Sequence, residues 1–321
     1  MDGRDMDSRK IDRRRFIAGA AAAALAAGIA PRALRAAEKA ASPLRLGGPI
    51  FTGATDPEEM ALAHRKLGYR AAYCPGVALG DTARIEAIRK AFAKHDVVIA
   101  EVGRWVNLMD ADPEKRSDNL KLVTEGLALA EAIGAKCCVD IAGSYNPKVW
   151  FGPHPDNISQ KFFDAAVENA RKIIDAVKPK QAKFCYEMMG WAFPDSPDSS
   201  LKLLKAVDRE AFGIHLDPCN LINSPERFYK NAALLDECFD KLGPWIASCH
   251  AKDLTWDVEL NVHFREVCPG TGSVDYKTWL KRLAALPHNP PLMIEHLSGA
   301  EEYDKARLFI MDCGKSLGLQ F

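Results

Sequence analysis

Residues 183–220 read KFCYEMMGWAFPDSPDSSLKLLKAVDREAFGIHLDPCN. Two short apolar runs, Lys183–Met188 and Gly213–Asp217, flank a helical segment, and each run ends around a carboxylate, Glu187 or Asp217. The arrangement recurs downstream, where IASCHAKD (246–253) carries His250 and LMIEHL (292–297) carries Glu295 at the end of an apolar run. In a β/α barrel such strand ends converge on one mouth, where active sites sit. Three carboxylates beside an imidazole in one cavity repel each other unless a cation lies among them. Hard oxygen donors with one nitrogen suit Mn²⁺, Mg²⁺ or Co²⁺ better than copper.

Working outward, β and α signals alternate eight times. The expected strands are Leu44–Ile50, Arg70–Cys74, Val97–Val102, Cys137–Ala142, Lys183–Met188, Gly213–Asp217, Ile246–Ala251 and Pro291–His296. Several are unbroken apolar runs, as strands buried on both faces should be. Between them the apolar period is near 3.6. In the run Ile158–Val177, Phe162, Phe163, Ala166, Ala170, Ile173, Ile174 and Val177 form one stripe. Asp56 before Pro57 reads as an N-cap, and Gly68 as the glycine that ends that helix. No GxGxxG or P-loop appears, which disfavours a doubly wound nucleotide-binding sheet. The expectation is a single (β/α)8 barrel over residues 41–321.

The chain has 321 residues, 48% hydrophobic and 27% charged, with zero formal net charge. That length suits one barrel of roughly 250 residues plus a leader. The balance gives no argument for nucleic acid as a partner. Residues 1–40 are expected to be a targeting leader. RKIDRRRFIAGAAAAALAAGIAPRALRAA (9–37) pairs Arg13 and Arg14 with a weakly apolar stretch, as in twin-arginine export of folded proteins to the periplasm. Export after folding lets a metal be loaded in the cytoplasm. The nine cysteines lack CxxC spacing and read mostly as core residues, not as a disulfide framework.

Two long βα loops stand out, GSYNPKVWFGPHPDN (143–157) and DLTWDVELNVHFREVCPGTGSVDY (253–276). Long loops in a compact domain tend to be functional. They supply further candidates. His154 is a candidate extra base, and Arg265 with Glu266 are candidates to close over substrate. Trp191 and Trp256 suit stacking on a sugar face. Lys252 and His215 share a face with His250 and Asp217 by period two, so they are candidates to meet substrate or line the cavity. Asp253 is a candidate acceptor for the second ring nitrogen of His250. Each has a structural alternative. A buried carboxylate can pair with Lys or Arg, a His can pack in the core, and a Trp can pack a loop.

With these pieces in order, the chain resembles the sugar phosphate isomerase/epimerase family, the xylose-isomerase-like TIM barrels. The resemblance spans about residues 44–317 and rests on CYEMMG, HLDPCN, HAKD, EVCPGTGSVDY and MIEHL. It implies one divalent ion, Mn²⁺ by preference with Mg²⁺, Co²⁺ or Zn²⁺ as alternatives, on Glu187, Asp217, His250 and Glu295. It further implies that Glu187 and Glu295 act as paired acid/base groups on a sugar C–H. Where the family often has His, this chain has Asn220, a candidate substrate contact. Where sugar epimerases tend to carry Arg, it reads LTW around Trp256. YEMMGWAFPDSPDS, HLDPCNLI and GPHPDN are similar to a subgroup that includes the large subunits of C-glycoside deglycosidases, which cleave 3-keto-glycosides by elimination. The expected function is a metal-dependent isomerase or epimerase of an unphosphorylated sugar or keto-sugar. A 3-keto-glycoside lyase is the alternative and a non-catalytic sugar-binding barrel the third. The resemblance also allows a homo-oligomer, or a small accessory subunit for a deglycosidase type.

Overall fold

The computed structural model describes residues 42–321. The expected leader lies outside the described residues. Eight parallel strands close into a barrel: β1 (Leu46–Gly47), β2 (Ala71–Tyr73), β3 (Val98–Gly103), β4 (Cys137–Asp140), β5 (Lys183–Glu187), β6 (Phe212–Leu216), β7 (Ile246–Ala251) and β10 (Leu292–Ile294). Closure comes from β1 pairing with β10, Leu46 opposite Leu292. The first and last strands are shorter than their apolar runs, because β1 pairs only at Leu46 and Gly47 and β10 only at Leu292, Met293 and Ile294.

Helices α1 (Pro57–Lys66), α2 (Thr82–Lys94), α3 (Pro113–Ile133), α4 (Gln160–Val177), α5 (Pro197–Val207), α6 (Pro225–Tyr229), α7 (Asn231–Leu242), α8 (Tyr276–Ala284) and α9 (Gly299–Ser316) lie between and after the strands. Asp56 caps α1, accepting from the backbone N–H of Glu58 and Glu59. Gly68 follows that helix at φ 82°, a conformation open to glycine at little cost. On α4 the stripe Phe162, Phe163, Ala166, Ala170, Ile173 and Ile174 is buried against the barrel, whereas Ile158 lies before the helix and is exposed. All nine cysteines are free.

The barrel interior is filled by side chains. Ala71, Ala100 and Met293 form one packed group, and Cys137, Val139 and Cys185 another. Gly47 permits this packing, since a Cβ there would lie 2.5 Å from the Ala71 carbonyl oxygen and 2.6 Å from Met293 Sδ.

The long βα segment 253–276 carries regular structure of its own. It contains an antiparallel hairpin, β8 (Asp253–Asp257) with β9 (His263–Val267), Leu254 opposite Glu266 and Thr255 opposite Arg265. The 143–157 loop ends in a short 3-10 turn at Pro155–Ile158.

Candidate metal and substrate site

Glu187 is the last residue of β5, Asp217 follows β6, His250 lies at the end of β7 and Glu295 follows β10. These strands are neighbours in the order β10–β7–β6–β5, so the four side chains share one side of the mouth. One donor atom from each lies within 4.8 Å of the others. Glu187, Asp217 and His250 are buried, and the Glu295 side chain is 13% exposed.

Each ligand candidate is held by its surroundings. Asp217 Oδ1 accepts from the Cys219 N–H at 3.0 Å, which leaves Oδ2 turned to Lys252 Nζ at 2.9 Å. Asn220 Nδ2 donates to Glu187 Oε1 at 3.2 Å and to the Met188 carbonyl at 3.1 Å. The ring of His250 spans the site. Its Nδ1 is 3.2 Å from Glu187 Oε1 and 2.9 Å from Glu295 Oε1, and its Nε2 is 3.0 Å from Glu101 Oε1.

Charge is concentrated here. Burial opposes the ionised form of Glu187, but His250 and Lys252 outweigh it and hold the carboxyl at about 2. Glu295 is lowered in the same way, burial being outweighed by His250 and Lys252. Burial pushes Asp217 up to about 6 in spite of Lys252. Lys252 is 4% exposed, and Asp217, Glu187 and Glu295 keep its ammonium charged against burial. It is 2.7 Å from Glu295 Oε1.

The four groups fit a hard divalent ion. They offer three carboxylates and one imidazole. Asp217 Oδ2 and Glu295 Oε1 are buried oxygens with no hydrogen bond of normal geometry, although both contact Lys252. Buried oxygens of this kind need a partner.

The site opens into a cavity of about 890 Å³ lined by Glu187, Trp191, Asn220, Lys252, Glu266 and Glu295, among others. Trp105, Trp150 and Phe151 add an aromatic wall. Thus Trp191, Asn220, Lys252 and Glu266 are brought to the cavity. Lys252 is buried within the ligand group instead of standing at a solvated rim.

Other expectations are corrected. His154 does not line the cavity. It caps the turn at Pro155, its Nδ1 accepting from the Asp156 N–H at 3.2 Å, and its ring lies beside Tyr145. Arg265 does not line this cavity, but it lines an adjoining pocket with Lys252, Glu266, Glu295 and His296, while its Nε pairs with Asp257 at 2.9 Å. Trp256 packs against Phe228 and Phe264 at 5.7 and 5.1 Å between ring centres, not against a substrate space. His215 is fully buried below the cavity, donating to Glu101. Asp253 is not the acceptor for His250. It instead accepts the backbone N–H of Leu254, Gly270, Gly272 and Val274.

Glu101 and His296 were not singled out from the sequence. Glu101, on β3, is 2% exposed and serves His215, Ser248 and His250 together. Its one signal was a lone carboxylate in the apolar run VVIAEV, since a buried charge requires partners. His296 lines the cavity with its Nδ1 2.9 Å from Glu266 Oε2, and its φ of 58° carried no sequence signal.

No curated protein matches the chain in sequence. Solved structures share its fold. A xylose isomerase-like TIM barrel protein from Mycobacterium smegmatis, in complex with magnesium, is 18% identical over 84% of this chain and 96% of its own, with a TM-score of 0.58. The 3-keto-D-glucoside 4-epimerase of E. coli is 14% identical over 84% of this chain and 100% of its own, with a TM-score of 0.61. Endonuclease IV from Thermus thermophilus is 15% identical over 83% of this chain and 97% of its own, with a TM-score of 0.59. At these identities the likeness speaks for the fold, which hosts more than one chemistry. The family model described as xylose isomerase-like TIM barrel matches residues 63–313, most of the chain, and the chain belongs to that family.

Proposed function

We propose that this chain is a divalent-metal-dependent isomerase or epimerase that moves a proton next to a carbonyl of an unphosphorylated sugar or keto-sugar. The observation that carries the reading is the compact group of Glu187, Asp217, His250 and Glu295 opening into the 890 Å³ cavity. Among the fold relatives, the 3-keto-D-glucoside 4-epimerase supports a sugar as the substrate class. A divalent cation held by the four groups, Mn²⁺ by preference for this donor set, supplies stabilisation for negative charge growing on the substrate oxygen.

The chain's own residues do the rest. Glu187 and Glu295 are held ionised, so either is able to accept a proton from carbon. Asn220 anchors the Glu187 carboxylate, which fixes the direction in which it can reach. Lys252 keeps a positive charge beside Asp217 and Glu295, near any oxygen that gains charge. Glu266 and Trp191 meet the substrate's hydroxyls and ring face from the cavity wall. The twin-arginine pattern ahead of residue 41 adds export in folded form to the proposal.

A second reading, elimination from a 3-keto-glycoside, is favoured by the aromatic wall of Trp105, Trp150 and Phe151. That wall leaves apolar room for a group attached to the sugar. With His154 outside the cavity, the base for this reaction would also be Glu187 or Glu295.

The test is incubation of Mn²⁺-loaded protein in D₂O with 3-keto-glycosides and free ketoses, followed by NMR. Deuterium entering the carbon beside the carbonyl, and lost on chelation, is expected. An epimer or isomer as product supports the first reading, and a released aglycone the second. Stoichiometric Mn²⁺ with no exchange on any of these substrates would sink both.

A further inference from the structure

We infer that Glu101 is a positioning residue for the proposed cation: it fixes the proton of His250 on Nε2 and so leaves Nδ1 free to ligate. The inference rests on the metal reading above.

A neutral imidazole carries one N–H, so the ring nitrogen that keeps the proton decides which side can bind a cation. His250 has carboxylates on both sides, with Glu187 and Glu295 at Nδ1 and Glu101 at Nε2. The two sides differ. Glu101 is fully engaged. Its Oε1 accepts from His250 Nε2 at 3.0 Å, and its Oε2 accepts from His215 Nε2 and Ser248 Oγ, both at 2.9 Å. An ionised carboxylate only accepts, so each of these three partners must present a hydrogen. On the Nδ1 side, Glu187 Oε1 at 3.2 Å and Glu295 Oε1 at 2.9 Å belong to the group whose four donor atoms, with one from Asp217, lie within 4.8 Å of one another. The side where the other three candidate ligands gather is the side for the cation, and the side of the single, fully engaged carboxylate is the side for the proton.

His215 acts as a strut in this arrangement. Its ring meets that of His250 edge-on, 4.1 Å between centres, and with Ser248 it pins Oε2 so that Oε1 stays aimed at His250. A carboxylate partner on the far nitrogen of a metal-binding His orients the ring and raises its basicity, typically for about 10- to 100-fold in metal affinity. Glu101, His215 and His250 also form a compact donor group of their own. A second cation bridged by His250 is therefore the competing arrangement.

The experiment uses Zn²⁺ alone as a diamagnetic probe on the full chain. The wild type is expected to bind one Zn²⁺ and to show, by ¹⁵N–¹H NMR, the His250 proton on Nε2. His215→Gln serves to assign the signals. Glu101→Gln retains one acceptor oxygen and cannot receive both imidazoles. Its Zn²⁺ affinity, from chelator competition, should fall about 10- to 100-fold, while Ser248→Ala should keep the tautomer. A proton on Nδ1, two Zn²⁺ per chain, or unchanged affinity in folded Glu101→Gln would overturn the inference alone. No Zn²⁺ binding by the wild type would overturn the metal reading as well. If Glu101→Gln does not fold, the wild-type tautomer and stoichiometry decide the matter.

Discussion

At Asp217 the two carboxylate oxygens have separate tasks. Oδ1 is spent on the backbone N–H of Cys219, which sets the rotamer, and Oδ2 is left for the site. At Glu187 one oxygen, Oε1, meets both Asn220 Nδ2 and His250 Nδ1 at 3.2 Å. These restraints make single substitutions informative. Asp217→Asn keeps the shape but removes a negative charge and an acceptor, so bound metal measured after gel filtration should be lost. Glu187→Gln removes both a ligand and the proposed base, and its deuterium exchange should fall by about a hundred- to ten-thousand-fold. Exchange at the wild-type rate would remove Glu187 from the chemistry. The metal candidates were readable from sequence because each ends an apolar run, where only a mouth position tolerates charge. Glu101 was harder to see. It sits within its strand, and its three partners come from β6 and β7, more than a hundred residues away. Nothing local in VIAEVG announces them.

Elements explain which loop residues reach the cavity. In 253–276 an open loop would have allowed Trp256, Arg265 and Glu266 all to close over substrate. The hairpin imposes alternation, and of the two neighbours only Glu266 lines the main cavity, while Arg265 pairs with Asp257 beside the adjoining pocket. The sequence pattern TWDVELNVHFREV holds that alternation, but its apolar tip, with Val258 and Leu260 fully exposed, disguises it. The base of the hairpin is fastened by Asp253, whose carboxylate gathers four backbone N–H groups, three of them from the turn that follows β9. Gly272 is required there, since a Cβ would lie 2.3 Å from Asp253 Oδ1 and 2.4 Å from the Leu254 carbonyl oxygen. Gly272→Ala is expected to cost about 1–3 kcal/mol through the forced shift, read by denaturant unfolding. It should also loosen Glu266 and raise KM more than it lowers kcat. A variant as stable as the wild type would show that the turn is not tightly fastened. Helix α1 offers a pH test away from the site. His64 is 4% exposed between Tyr69 and Phe92, and burial lowers its pKa, only partly opposed by its bond to the Met60 carbonyl. The unfolded chain then binds the proton more tightly than the folded one. Stability should be full above about pH 6.5 and decline as pH falls below it. Denaturant midpoints between about pH 8 and pH 5 should show this decline, and His64→Gln should flatten it. An equal slope in the variant would assign the decline to other groups.

The whole barrel was legible because its strands are continuous apolar runs separated by helices of period 3.6, a pattern that few other topologies satisfy. Strand ends were less so, since pairing with a neighbouring strand, not local propensity, decides where a strand stops. β1 narrows to Leu46–Gly47 within an apolar run that begins at Leu44. Closure of the barrel also ties the site to the stability of the whole. The four ligand candidates come from β5, β6, β7 and β10, half of the closed sheet, and without a cation their three carboxylates face Lys252, His250 and, at Glu295, His296. A cation that binds the folded barrel but not the open chain stabilises the whole molecule. With free Mn²⁺ at about a hundred times Kd the gain is about 2.7 kcal/mol. For a domain of this size each kcal/mol moves Tm by about 2–4 °C, so chelation should lower Tm by about 5–10 °C and added Mn²⁺ should restore it. Glu295→Gln removes one of the four ligands and should show most of that loss already, with little further response to chelator. Calorimetry of the two proteins with and without chelator checks this. If the wild type and Glu295→Gln melt alike under both conditions, the four groups do not form a metal site that spans the barrel. Their charges would then have to be held by Lys252, His250 and His296.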